Sequence, residues 1–174
     1  MVTPEAKVLI VHPYLPGHRE DEQAPTWHLV EELAKRWPLH DIDLSWDPLY
    51  GYGASLRALW GGDRDWLIIE HDVEAKVEDV EAMDSCPELA CTAPYAHSGH
   101  AVTDLRGMQV MATSLGFTRI TARARRLCGD WPVPAGVTWR MLDSYLTAAL
   151  AGALVTRTGK AWHPHRPVVH HHAA

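Results

Sequence analysis

The sequence predicts an α/β protein organised around a parallel sheet, and three observations carry that expectation. Strand-like and helix-like patterns alternate through the first 85 residues, as they do where helices cross over between parallel strands. One of the runs, "DWLII" at 65–69, is apolar throughout, as a buried strand is. The chain also has 174 residues, 47% of them apolar and eight of them Trp, enough for one domain with a real core and too apolar for a disordered chain.

Taken in order, "KVLIVHPYLP" is a β-branched run closed by prolines and reads as a buried strand. The polar "PGHREDEQAP" reads as a loop. "PTWHLVEELAKRW" sets Trp27, Val30, Leu33, Ala34 and Trp37 on one helical face, with Pro25 suited to the first turn. "DIDLSWDP" alternates Ile42, Leu44 and Trp46 with aspartates, the pattern of a half-buried strand. "YGYGASLRALWGGD" gives a loop, a short helix and a glycine stop. After the strand at 65–69, "VEDVEAMDS" gives a short helix.

The second half is less regular. "CTAPY" reads as a short strand, and "TSLGFTRIT" as a strand leading into the basic helix "TARARRL". The stretch "TWRMLDSYLTAALAGALVT" is the clearest helix in the chain. Leu142, Tyr145, Leu146, Ala149, Leu150, Ala153 and Leu154 form its apolar face, Thr138 is a fitting cap, and Gly159 follows.

Charge divides the chain unevenly. Residues 1–100 carry 7 basic and 19 acidic residues, a net of −12, whereas residues 101–174 carry 9 and 3, a net of +6. The imbalance suits a polyanionic partner for the second half, or mutual neutralisation across the fold. No apolar run approaches the roughly 20 residues of a membrane span, and the first residues do not read as a signal peptide. Three cysteines, Cys86, Cys91 and Cys128, are an odd number without framework spacing, which points to reduced thiols in a cytoplasmic protein.

The candidate chemistry lies at strand ends, where open α/β sheets bind ligands. Glu70 and Asp72 close the apolar run 65–69, Pro13 closes the first strand, and Asp47 closes the second. Two carboxylates one residue apart can approach one hard cation, Mg2+ or Mn2+, if the backbone leaves strand geometry there; an acidic strand end that only meets water is the plainer alternative. The tail "HPHRPVVHHH" holds five histidines in ten residues and can complete such a site. The three terminal histidines read alternatively as a vestigial purification tag or as a separate zinc site with a cysteine, although no zinc spacing is present. Asp143, beside the apolar stripe of the long helix, reads either as an ordinary carboxylate near a helix start or as a base able to take a proton from a hydroxyl. No GxGxxG, P-loop, GxSxG or HExxH motif occurs.

In this order the pieces resemble nucleotide-sugar glycosyltransferases of the A fold, family-two-like, including compact phage and actinobacterial proteins. The resemblance rests on "VLIVHPYLP", the acidic turn "DLSWDP", Arg57 in "GASLRALW", "GGDRDWLIIEHDV", Asp143 opening a helix before Gly159, and "PVVHHH". The chain departs from the family in carrying Glu70-His71-Asp72 in place of paired aspartates, and in lacking a Glu beside Asp143.

The resemblance implies a single glycosyltransferase A (Rossmann-like) domain over 1–174 with a mixed, mostly parallel sheet, a nucleotide-sugar half at 1–97, and an acceptor and catalytic half at 98–174. Asp72 is then the principal metal ligand, with Glu70 on metal or ribose and His170 or His172 closing the site. Pro13, Tyr14 and Asp47 shape the base slot, and Arg57 reaches nucleotide or sugar. Asp143 is the general base of an inverting hexosyl or pentosyl transfer supported by Mn2+ or Mg2+. The implied donor is a nucleotide sugar. The acceptor is modified DNA approached by Arg119, Arg123, Arg125, Arg126 and Arg140, or else a protein or glycan, in the host cytoplasm if the chain is phage-encoded. The competing readings are a non-catalytic nucleotide- or partner-binding module on the same fold, and a His-rich zinc hydrolase.

Overall fold

The computed structural model describes residues 7–15, 26–94, 96–97, 100–101, 104–106 and 109–170, with side chains left undescribed at 95–112 and 170. The loop expected over 16–25 lies outside these residues. The described chain is α/β. Its strands in the first half are β1 (Val8–Tyr14), β2 (Leu39–Asp43), β3 (Asp65–Ile69) and β4 (Val73–Glu74), and its helices there are α1 (Trp27–Leu33), α2 (Gly51–Leu59) and α3 (Val77–Ser85). The second half adds β5 (Ala90–Thr92), two small hairpins β6 (Ala96–His97) with β7 (His100–Ala101) and β8 (Asp104–Arg106) with β9 (Gln109–Ala112), and β10 (Phe117–Ile120). Helices α4 (Ala122–Cys128) and α5 (Trp139–Thr158) follow, then β11 (His163–Pro164) and β12 (Val169–His170).

Six strands form the main sheet in the order β11-β5-β10-β3-β1-β2. Pairs β1–β2, β1–β3 and β11–β5 are parallel, whereas β10 runs against both β3 and β5. The sheet is therefore mixed, with one reversed strand. Along β3 the side chains alternate between two cores: Trp66 and Ile68 face the layer of α2, α4 and α5, and Leu67 and Ile69 face that of α1 and α3. A strand covered on both faces can be apolar at every position, which is why "DWLII" carries no alternation.

Asp65, the polar first residue of β3, is buried and tied by charge. Its carboxylate takes Arg119 Nη2 at 2.7 Å and the Ala122 N–H at 2.9 Å. Arg125 is buried deeper still, donating to the carbonyls of Trp60, Ile120, Gly62 and Arg64 while its guanidinium stacks 4.1 Å from the Trp66 ring centre. Two arginines expected at a basic surface are thus internal struts; Arg123, Arg126 and Arg140 are exposed.

The long helix differs from its sequence reading in detail. Leu142, Leu146, Thr147, Leu150, Ala151 and Leu154 are its buried residues, and Tyr145 is 44% exposed. Polar Thr147 replaces Tyr145 on the buried face because its hydroxyl takes part in three local bonds, donating toward Thr113 O and Asp143 O and accepting from the Thr113 N–H. Trp46, expected on the buried face of the second strand, is 64% exposed because β2 ends at Asp43. Gly159 ends α5 at φ 74°, the left-handed C-terminal geometry that favours glycine.

Candidate active site

The carboxyl ends of β1, β2 and β3 lie side by side, and the chain leaves β3 through a tight turn. The Val73 N–H donates to Glu70 O at 3.1 Å, so Glu70, His71 and Asp72 occupy a β-turn and not a continued strand. Thr26, just before α1, holds that turn from outside: its Oγ1 lies 3.1 Å from Glu70 O, 2.5 Å from His71 O and 2.9 Å from Val73 O. Glu70, His71 and Asp72 are all half-buried there.

Pro13 explains a second feature of this edge. The Ile10 N–H goes to Pro38 O on the β2 side, so parallel alternation turns residues 11 and 13 toward β3. Residue 13 is a proline with no N–H to give, and the imidazole of His12 donates from Nδ1 to Ile69 O at 2.8 Å instead. That bond fixes the His12 tautomer and places a ring, stacked on Tyr14, beside the turn. Tyr14 is buried and in register with Asp43, and its carbonyl accepts the Leu44 N–H at 3.1 Å.

The tail arrives at the same edge. After α5 it runs along β5 as β11, where the His165 N–H donates to Thr92 O at 2.8 Å and the Arg166 guanidinium pairs with Asp79. It then continues as β12, antiparallel to β4, with His170 opposite Val73. The backbone of His170 is thereby set one position from Asp72, in the neighbourhood expected of a tail ligand; its side chain and all of His172 lie outside the described residues.

Asp143 is the fifth residue of α5, in its second turn. Its Oδ2 accepts the Leu115 N–H at 3.2 Å, and the carbonyl of the next residue, Gly116, accepts the Glu70 N–H at 2.9 Å. One two-residue loop thus ties Asp143 to the acidic turn. Asp47 is partly occupied with local structure: Oδ1 takes the N–H groups of Leu49 and Tyr50 at 3.2 and 3.0 Å and shapes the entry to α2. Arg57 stands apart from this cluster. It lies exposed in the last turn of α2 and lines a cleft of about 730 Å3 with Tyr50, Trp131 and residues 133–137.

Three further participants emerge only in the fold, the last of the histidine–cysteine kind expected of the tail. His12 and Thr26 offer no motif, since their roles exist only once β1, β3 and α1 are assembled. The third is a cluster away from the turn: Cys86, Cys91 and His165 place one ligand atom each within 4.8 Å of the others, with the two sulfurs 2.9 Å apart. Burial pushes the Cys91 thiol strongly upward, and Cys86 beside it adds to the effect. Burial lowers the His165 imidazole, and the neighbouring His163 and Arg119 act in the same direction. Among the described residues this is the one trio of His, Cys, Asp and Glu with ligand atoms so close.

At the helix end that carries Asp143, Trp139, Met141 and Tyr145 are each 44–50% exposed. The Trp139 N–H donates to Leu49 O at 2.9 Å, joining this helix end to the loop that carries exposed Trp46 and Tyr50. No helix among the described residues is long and apolar enough to cross a membrane.

Comparison with known proteins yields a fold. No protein-family model matches the chain, and no curated protein sequence does. Among solved structures, the viral protein A197 from STIV aligns over 94% of this chain and 83% of its own length, with a TM-score of 0.56 and 13% identity. At that identity the likeness concerns architecture alone: an α/β fold with a mixed central sheet, which is compatible with a Rossmann-like arrangement.

Proposed function

We propose that the protein is a divalent-metal-dependent glycosyltransferase of the A fold that uses a nucleotide sugar. The observation that carries this reading is the shared Leu115–Gly116 anchor, which holds Asp143 and the Glu70–Asp72 turn to adjacent backbone groups. The reversed strand β10, set between β3 and β5, supports the expected mixed sheet, and β12 supports a role for the tail at the acidic turn.

The donor set suits a hard cation. Two carboxylates on one β-turn, half-buried at a strand end, resemble the one or two carboxylates with which Mg2+ is usually held beside substrate phosphates. When bound, the metal supplies Lewis-acid stabilisation of the leaving nucleoside diphosphate. Asp72 and Glu70 hold it from the turn, and Thr26 keeps that turn from opening. Pro13, Tyr14 and Asp47 border the base slot between β1 and β2, while Arg57 has a place only for a donor that extends along α2. Asp143 takes the proton of the acceptor hydroxyl on Oδ1, while Oδ2 stays on the Leu115 N–H as a fixed hinge.

Exposed Trp139 and Tyr145 favour an acceptor with flat apolar faces, such as the rings of a glycan, because aromatic faces give such contact at little entropic cost. Burial of Arg119 and Arg125 weakens the case for a DNA acceptor, since phosphate binding needs exposed cations. The test is to incubate the protein with Mn2+ and a panel of nucleotide sugars, with and without oligosaccharides, and measure nucleoside diphosphate release. Release that depends on Mn2+ and on one donor supports the reading. Binding without turnover supports the non-catalytic module, and neither binding nor release for any donor overturns the proposal.

A further inference from the structure

We propose that Cys86, Cys91 and His165 form a site for a soft divalent cation, zinc foremost, that clamps the tail to the sheet. The site lies apart from the acidic turn and does not depend on the transferase reading. Its three ligands come from three elements: Cys86 caps the C-terminal end of α3, Cys91 sits in β5, and His165 follows β11.

The sulfurs are 2.9 Å apart, closer than two unlinked thiols rest against each other and longer than the roughly 2.05 Å of a disulfide. Two cysteines held this near one another can close a disulfide or share a cation. His165 decides between them. Its Nε2 is buried and has no hydrogen-bond partner among the described residues, and a nitrogen of the same ring lies within 4.8 Å of both sulfurs. An imidazole nitrogen in that position is a cost beside a disulfide and a ligand beside a metal. Tetrahedral zinc, with bonds of about 2.3 Å to sulfur and about 2.0 Å to nitrogen, needs the sulfurs to separate by under about 1 Å, which small χ1 rotations supply.

The surrounding charges balance for the loaded site. Two thiolates neutralise one divalent cation, Arg119 is already neutralised by Asp65 at 2.7 Å, and Arg166 by Asp79. Arg119 also donates to Cys86 O at 2.9 Å and Glu88 O at 3.2 Å, fixing the backbone that carries Cys86. A cavity of about 400 Å3, lined by Glu78, Asp79, Phe117, His165 and Arg166, opens beside His165. The consequence is mechanical: the clamp holds the tail where it leaves β5, four residues before it pairs with β4 beside Asp72.

Because the terminal histidines can bind metal by themselves, the test reads sulfur. The reduced full-length protein is titrated with Co2+ while the near-ultraviolet thiolate-to-cobalt charge-transfer band is followed, and zinc is then added to displace it. One equivalent of band-forming cobalt, displaced by zinc and unchanged in Cys128→Ser, is expected. Cys91→Ser should lose the band, and His165→Ala should weaken cobalt binding about tenfold or more. A wild-type protein that is reduced and folded yet gives no band overturns the proposal, with no variant needed. A Cys86–Cys91 disulfide in the protein as isolated, found by mass mapping and with no metal bound, overturns it as well.

Discussion

The Asp143 carboxylate accepts the Leu115 N–H at 3.2 Å, one residue before the carbonyl that accepts the Glu70 N–H. This pairing gives the helix carboxylate a fixed position relative to the acidic turn. The proposed base role of Asp143 is then separable from its anchoring of the loop through Oδ2. Asp143→Asn keeps a carbonyl oxygen to accept the Leu115 N–H but cannot act as a base. It is expected to bind donor with Mn2+ as wild type does, while transfer falls about 10²- to 10⁴-fold. Asp143→Ala removes the anchor too, so donor affinity should also weaken. Isothermal titration beside single-turnover transfer separates these cases, and equal loss of binding in both variants counts against the division of duties.

Thr26 is the outer support of the turn, and its removal should show at the metal. Thr26→Val keeps the shape and loses the hydroxyl that faces the carbonyls of Glu70, His71 and Val73. The expected cost is about 1–2 kcal/mol, or a melting temperature lower by about 2–8 °C. Mn2+-dependent donor binding should weaken more than that loss explains, whereas Thr26→Ser should restore both. A Thr26→Val protein with unchanged donor affinity would show that the turn holds its shape without this residue.

Much of this arrangement was legible in the sequence. The order of strands and helices through α3 follows from hydrophobic period, and β10 with α4 from "GFTRIT" and "ARARRL". That the carboxyl ends of β1, β2 and β3 lie side by side, bringing Pro13 and the Glu70–Asp72 turn to one edge, follows from parallel topology alone. What could not be read is whatever depends on a partner distant in sequence. The reversed direction of β10 and the Asp65–Arg119 pair join residues 54 positions apart, and Thr26 meets its turn 44 to 47 positions later. The charge asymmetry resolves only in the fold: Arg119, Lys160 and Arg166 of the basic half pair with Asp65, Glu88 and Asp79 of the acidic half, and Arg125 is consumed inside. Cys86, Cys91 and His165 carry no zinc spacing because the third residue of the cluster arrives on a returning tail.

Arg125 tests that distinction between internal and surface arginines. Four carbonyls and the face of Trp66 fit a planar guanidinium, and burial lowers its pKa to about 10 without neutralising it near pH 7. Lysine carries the charge but not the fork, and it leaves several buried carbonyls without donors. Arg125→Lys is expected to cost about 2–4 kcal/mol in urea unfolding, whereas Arg123→Lys on the exposed face should stay within about 0.5 kcal/mol. A mild Arg125→Lys phenotype would mean that water can reach the carbonyls around Trp60, Gly62 and Arg64.

The attachment of the tail to α3 should be sensitive to acid. Burial alone would raise the pKa of Asp79, but its bond to Arg166 and the Lys76 N–H outweigh that and hold it below the ordinary value of 3.8. A carboxyl depressed in the folded state is protonated first in the unfolded one. Its stabilising contribution is therefore full above about pH 3.8 and is lost as pH falls through the lower folded value. Asp79→Asn keeps an acceptor for the Lys76 N–H and removes the charge. The urea midpoint of wild type should exceed that of Asp79→Asn by a constant amount from pH 7 to about pH 5, and the gap should close as pH falls below 3.8. A gap that persists undiminished to pH 2.5 would mean that the contact acts through its hydrogen bond and not through its charge.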